Sequence, residues 1–196
     1  MDAPRVPEHP IQPFFHERWS PRAFTDEEIP VAELMKLFEA ARWAPSANNA
    51  QPWRFVYARR GTPAFARLLA VLAPGNQAWA HRAAALVALV SEELMSLPGK
   101  AEKVPYGSHS FDAGAAWANL ALQAHLAGWA THAMGGFDRE RATATLELPQ
   151  HHRIEAFIAV GRPGDPATLP DWAREREKPS GRKPVSELVR EGSWRF

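Results

Sequence analysis

Proline sets the limits of this chain. It stands at positions 4, 7, 10 and 13, and again at 163, 166, 170, 179 and 184. Proline fixes its φ and has no N–H to give to a helix or a ladder. Both ends therefore read as extended arms, with at most a short helical turn in the last thirty residues. Regular structure has to lie between them. The chain has 196 residues, enough for one sizeable core and short for two. No internal repeat and no linker divides it, so residues 1–196 are read as a single domain.

Between the arms the periodicity alternates. Val31, Leu34, Leu37, Phe38 and Ala41 recur at helical spacing after "TDEEIP", where Thr25 or Asp26 can cap. "WRFVYAR" (53–59) alternates like a strand, and "TPAFARLLAVLA" (62–73) reads as a helix. "AAALVALVS" (83–91) reads as a buried central strand, and 92–109 as a loop. "SFDAGAAWANLALQAHLAG" (110–128) is helical but apolar nearly all round, which implies burial on more than one side. A short strand (129–136), a helix (138–147) and an alternating strand (153–163) complete the pattern. The class is α+β, a mixed β-sheet flanked by helices.

Composition excludes several functions. The formal net charge is +1, without the basic excess of a nucleic-acid binder. The run "WAREREKPSGRK" interleaves acids with bases and reads as a solvated segment. There is no cysteine, hence no disulfide, thiolate metal site or cysteine nucleophile. The longest apolar run is too short for a bilayer, and "MDAPRVPEHPIQPFF" lacks the apolar core of a secretory signal. A cytoplasmic protein without membrane or nucleic-acid partners is expected. No G-x-G-x-x-G, P-loop, H-E-x-x-H or G-x-S-x-G occurs, so dinucleotide folds, zinc enzymes and serine hydrolases lack their residues. His125 and His132 read as helix and strand residues rather than metal ligands.

Two segments carry chemistry. "RWSPRAF" (18–24) sets Arg18 and Arg22 around Ser20 and Pro21. Converging guanidiniums with a hydroxyl suit a phosphate monoester of about −1.5 to −2 charge. The plainer reading is two surface arginines ahead of a helix. "WAPSANNAQPWRF" (43–55) crowds Ser46, Asn48, Asn49 and Gln51 between Trp43 and Trp53. Such a set suits a flat heteroaromatic ligand, and Pro45 and Asn48 also suit an ordinary turn.

Together the segments resemble the FMN-dependent nitroreductase family, whose opening is R-x-S-x-R, a helix, then P-S-x-x-N-x-Q-P-W. "HAMGGFD" (132–138), "VGRP" (160–163) and "GRKPVSELV" (181–189) resemble its later elements, so the likeness spans nearly the whole chain. The resemblance implies an interlocked homodimer with exchanged arms and FMN at the interface. It would place Arg18, Ser20, Arg22 and Arg182 at the phosphate and ribityl end. Pro45, Ser46, Ala47 and Asn49 of a neighbouring copy would flank the isoalloxazine, with Gln51 supporting the loop. Ala133, Met134, Gly135 and Gly136 would pass its reactive edge, and Asn76 would read its pyrimidine side. It further implies hydride transfer from NAD(P)H to an electron-poor acceptor (nitroaromatic, quinone or activated carbonyl) in two stages through one slot. No side chain is singled out as catalytic. Three positions depart from the family pattern: Trp79 where many members carry lysine, Gly135 where some carry glutamate, and Ser180 where some carry lysine. An alternative is a flavin-binding protein without turnover, its slot occluded by Trp79 or another bulky residue.

Overall fold

The computed structural model of the chain describes residues 5–194. After a short helix, α1 (Pro13–Glu17), comes α2 (Val31–Arg42). The strand β1 (Trp53–Arg59) leads to α3 (Pro63–Ala70) and α4 (Pro74–Ala80). Then follow β2 (Ala85–Glu92), the two-residue strands β3 (Leu94–Met95) and β4 (Val104–Pro105), and α5 (His109–Leu126). β5 (Ala130–Met134), α6 (Arg139–Thr145), β6 (His152–Gly161) and α7 (Asp171–Arg174) close the order.

The main sheet has the order β1-β2-β6-β5. All three pairings are antiparallel, so the helices and sheet are α+β as expected, but no parallel pair occurs among the described residues. The reason lies in the connections: strands adjacent in the sheet are each reached by a path that reverses direction. β3 and β4 pair within the stretch expected to be an unbroken loop.

Helices cover both faces of the sheet. Leu86, Ala88 and Val90 of β2 face a cluster with Phe24, Phe65, Leu68, Trp79, Phe157 and Ala142. Ala85, Val87 and Leu89 face the other cluster, with Leu34, Leu37, Ala116, Leu120 and Ile158. A strand covered on both faces is apolar at every position, which explains the unbroken 83–91 run. Each fully buried Val, Leu or Phe contributes about 1.5–3 kcal/mol.

Local chemistry sets most boundaries. Thr62 Oγ1 accepts from the Phe65 N–H and starts α3, and the Asp138 carboxylate accepts from the Arg141 N–H and starts α6. α2 starts later than expected, at Val31. Neither Thr25 nor Asp26 caps it, and Asp26 instead pairs with Arg82 at 3.1 Å.

Two features position the N-terminal segment. Phe24 bridges Pro163, and its ring lies over Gly161, where a Cβ would stand 2.6 Å from Phe24 Cδ1. The end of β6 thus needs glycine to seat Phe24, which holds residues 18–24 beside β5.

Candidate functional site

The arginine segment lies at the C-terminal end of α5. Arg18 and Pro21 border a cleft with Ala121, His125 and Gly128, and His125 Nε2 stands 3.8 Å from Glu17. Arg18 Nη1 donates to Ser20 Oγ at 3.2 Å. Burial, then the nearby charges of Arg182 and Arg5, hold the Arg18 guanidinium below its usual pKa. The structure therefore brings Arg18, Ser20 and Arg182 together and adds Arg5, which the sequence reading left out. Arg182 itself is exposed and donates to Ser180 Oγ at 3.2 Å and to the Gly181 carbonyl at 2.9 Å.

Arg22 is engaged differently. Glu177 Oε1 accepts from the N–H groups of Arg22 and Ala23, each at 2.7 Å. Its Oε2 lies 3.8 Å from Arg22 Nη1, and the Glu177 side chain is only 1% exposed. The run that contains Glu177 was expected to be solvated. One of its acids is instead buried, with two backbone donors on Oε1 and Arg22 as the cation facing Oε2.

From below, His132 of β5 holds the same segment. Its Nδ1 lies 3.1 Å from the Pro21 carbonyl oxygen, and its ring stacks 4.7 Å from Trp79. Burial is the main cause that lowers its pKa to about 4, with Arg22 and Arg18 adding to it and the Pro21 hydrogen bond opposing. The imidazole is neutral above that value and donates its Nδ1–H to Pro21.

β5 connects this end to the glycine turn. At about 3.3 Å per residue, Gly135 lies roughly 10 Å beyond His132. Met134 is 3% exposed with its side chain in the core, so only its backbone faces the turn. Ala133 is half-buried; Gly135 and Gly136 are exposed. The Gly136 carbonyl accepts from Asn76 Nδ2 at 2.9 Å and from the Ala73 N–H at 3.0 Å. A Cβ on Gly136 would stand 3.0 Å from Asn76 Nδ2, whereas one on Gly135 would meet nothing within 4 Å. Asn76 rides on α4, a helix missed in the sequence because "PGN" looks like a turn, although proline at N1 also opens helices.

The alternative reading put Trp79, or another bulky residue, in the slot. Trp79 is 1% exposed and packs against Phe24 and His132. Its indole fills core volume next to the half-buried His132 imidazole.

The amide loop lies elsewhere. Asn48, Asn49 and Gln51 hold positive φ of 52°, 52° and 48°. The Ser46 Oγ accepts from the Gln51 N–H at 3.0 Å, and Gln51 Nε2 donates to the Asn49 carbonyl at 3.2 Å. Beneath it, Asp112 Oδ2 accepts from the Ala47 N–H at 3.0 Å and from the Tyr106 hydroxyl. Asp112 and Tyr106 are buried, at 4% and 3% exposure. Burial, then the bond to Asp112 and its charge, push the Tyr106 pKa up to about 12. Pro45, Ala47, Asn49 and Gln51 are exposed. Asp112 belongs to the first turn of α5. At 1.5 Å per residue, it stands about 20 Å along the axis from His125. One chain therefore keeps its amide loop and its arginine segment at opposite ends of one helix. No group of three or more metal-ligating side chains stands together among the described residues.

The nitroreductase family model matches residues 16–162, most of the chain and both motif segments. The chain belongs to the nitroreductase family. Among solved structures, this nitroreductase-family chain is 43% identical to an oxidoreductase containing FMN, with a TM-score of 0.93 over 97% of this chain and 96% of that one. It is 31% identical to an NADH dehydrogenase of Thermus thermophilus, over 88% of this chain and 91% of the relative. A nitroreductase family protein from Streptococcus pneumoniae is 22% identical with a TM-score of 0.72, over 91% and 98% of the two chains, and shares the fold.

Proposed function

We propose that the chain is an FMN-dependent oxidoreductase of the cytoplasm. In this reading residues 1–196 form one domain and act as a homodimer that draws hydride from NAD(P)H. The reduced site then serves an electron-poor acceptor such as a nitroaromatic, a quinone or an activated carbonyl, in a two-stage cycle through one slot. FMN, when bound, supplies the redox chemistry, and the protein supplies placement and electrostatics.

One observation carries this reading. Arg5, Arg18 and Arg182 stand together, with Arg5 donating to the Arg18 carbonyl at 3.0 Å and to the Ser180 carbonyl, two residues before Arg182, at 2.7 Å. Such a cluster calls for a multiply charged anion. Roughly 10 Å along β5, the open space over Gly135 gives a flat ring close access to the backbone. A phosphate at one end and a planar ring at the other describe FMN, so the residues present fit it.

Each residue then has a task. Arg18 and Arg182 bind the phosphate, and Ser20, aligned by Arg18, offers its hydroxyl. Asn76, tied to the Gly136 carbonyl, sits where it can face the pyrimidine side. The Ala133–Gly136 backbone borders the ring edge. His132 is half-buried and gives its Nδ1–H to Pro21, so in this reading it serves the fold.

The amide loop requires a second copy. Its Pro45, Ser46, Ala47 and Asn49 lie about 20 Å from the arginines of the same chain and can only meet them across an interface. α5 offers that interface. Phe111, Gly114, Ala118 and Leu126 are exposed along one face of it, Phe111 by 81%. The arms add exposed Ile11, Phe15, Leu188 and Val189. This explains the all-round apolarity of α5: one face is buried in the chain, and the other is covered by a partner. A carrier without turnover was built on Trp79 or another bulky residue occluding the slot, and Trp79 lies in the core.

The test is optical. Purified protein should carry a yellow chromophore that bleaches when NADH or NADPH is added without oxygen, and regain colour with a quinone. Protein that stays colourless after incubation with FMN would contradict the reading.

A further inference from the structure

The cations around the 18–22 segment divide into two kinds. Arg22 faces the buried Glu177, whose Oε2 has no hydrogen-bond partner among the described residues and whose nearest cation is Arg22 Nη1 at 3.8 Å. A buried carboxylate with an unsatisfied oxygen holds its cation strongly. The charge of Arg22 is therefore committed inside the fold. Its backbone N–H and that of Ala23 serve the same carboxylate. Arg22 and Glu177 together lock the segment.

Arg5 is the opposite case. It comes from the N-terminal arm and has cations for neighbours: burial and then Arg182 lower its pKa. Its Nη1 donates to the Ser180 carbonyl at 2.7 Å, and its Nη2 donates to the Arg18 carbonyl at 3.0 Å and to the His16 carbonyl. One planar fork thus ties the residue bearing the first phosphate cation to a residue two before the second. Arg5 and Arg182 also share a cavity of about 450 Å³ whose other walls include Glu8, Lys183, Ile11, Phe15 and Val185. There is open space beside these two guanidiniums for an anionic group.

We infer that Arg5 is the third cation of the phosphate site, in the role the sequence motif gives to Arg22, and the strut that brings Arg18 and Arg182 together. Three guanidiniums repel one another, and the carboxylate that lines the cavity with Arg5 and Arg182, Glu8, accepts from the Val185 N–H. A dianionic phosphate removes that repulsion and gains charge-assisted bonds. The fork geometry matters as well as the charge. A lysine at position 5 would keep the charge but could not reach three carbonyls from one plane. This inference rests on the FMN reading above.

The test compares FMN with riboflavin, which has the same ring and ribityl chain but no phosphate. Full-length wild type, Arg5→Gln, Arg5→Lys and Arg22→Gln are titrated with each by flavin fluorescence. Wild type should prefer FMN. Arg5→Gln should weaken FMN by about tenfold or more, the loss of one charge-assisted contact, and leave riboflavin within about twofold. Arg5→Lys should recover part of the loss. Arg22→Gln should weaken FMN and riboflavin by the same factor, because it loosens the segment without removing a phosphate cation. Equal losses of both flavins in Arg5→Gln, or no loss, would overturn the inference, as would a selective loss of FMN in Arg22→Gln. Wild type that binds neither flavin would instead overturn the FMN reading itself and this inference with it.

Discussion

The two ends of α5 are built on opposite principles. At its N-terminal end the amide loop is held by a buried pair, Asp112 and Tyr106, that meets on the Ala47 backbone. The loop also keeps three non-glycine residues at positive φ. At the C-terminal end, Arg5, Arg18 and Arg182 crowd together with cations for neighbours. The first end is held by bonds within one chain. The second gathers positive charge from three parts of the sequence. Stability is invested in the loop, and binding in the arginines.

That contrast can be broken by substitution. The largest effect is expected at Trp79, whose indole supports the arginine end from the core. Trp79→Ala should cost about 3–5 kcal/mol in denaturant unfolding. A stable variant with faster turnover of bulky acceptors would mean that Trp79 borders the slot after all. Asp112→Ala should cost about 3 kcal/mol, since it strands the Ala47 N–H and the Tyr106 hydroxyl. It should leave the preference for FMN over riboflavin unchanged, and a changed preference would couple the two ends. Arg18→Ala should behave in reverse. It should weaken FMN about 10- to 100-fold while leaving the unfolding midpoint of the flavin-free protein the same or higher. A large drop in that midpoint would make Arg18 a structural residue.

The glycine turn and His132 give smaller and sharper tests. Gly136→Ala should displace Asn76 and weaken FMN several-fold, about 1 kcal/mol, and Gly135→Ala should leave the flavin-free fold unchanged. Equal effects on the flavin-free fold would refute the close approach at Gly136. His132 has a folded pKa lowered to about 4 from 6.5. The unfolded chain therefore binds more protons between these values, and stability is lost as pH falls through that window. The loss should reach at most about 3 kcal/mol. Denaturant midpoints at several pH values should show this slope, and His132→Gln should flatten it.

Much of this was legible in the sequence. The strands at 53–59 and 83–91 and the helix after Thr62 follow from local pattern, and local pattern was enough. The motif segments fixed where to look. What stayed hidden depends on distance along the chain. Arg5 meets Ser180, and Glu177 meets Arg22 and Ala23, across most of the length of the chain. No local signal marks such partners, and Glu177 was masked by the charged run around it. Asp112 was the one legible clue that went unused: an acid in an otherwise apolar helix needs a buried partner. α5 looked apolar all round, and its outer face keeps Phe111 and Leu126 exposed.

The central claim is that each site joins the arginines of one copy to the amide loop of another. Mixed dimers test it most directly. One copy would carry Arg18→Ala and the other Ala47→Trp, which puts bulk on the exposed loop and leaves the Asp112 bond in place. Each variant alone should bind FMN poorly. The purified mixed dimer has one site with both defects and one with neither, so it should bind one FMN per two chains with the affinity of wild type. A mixed dimer that binds no better than either parent would contradict the account.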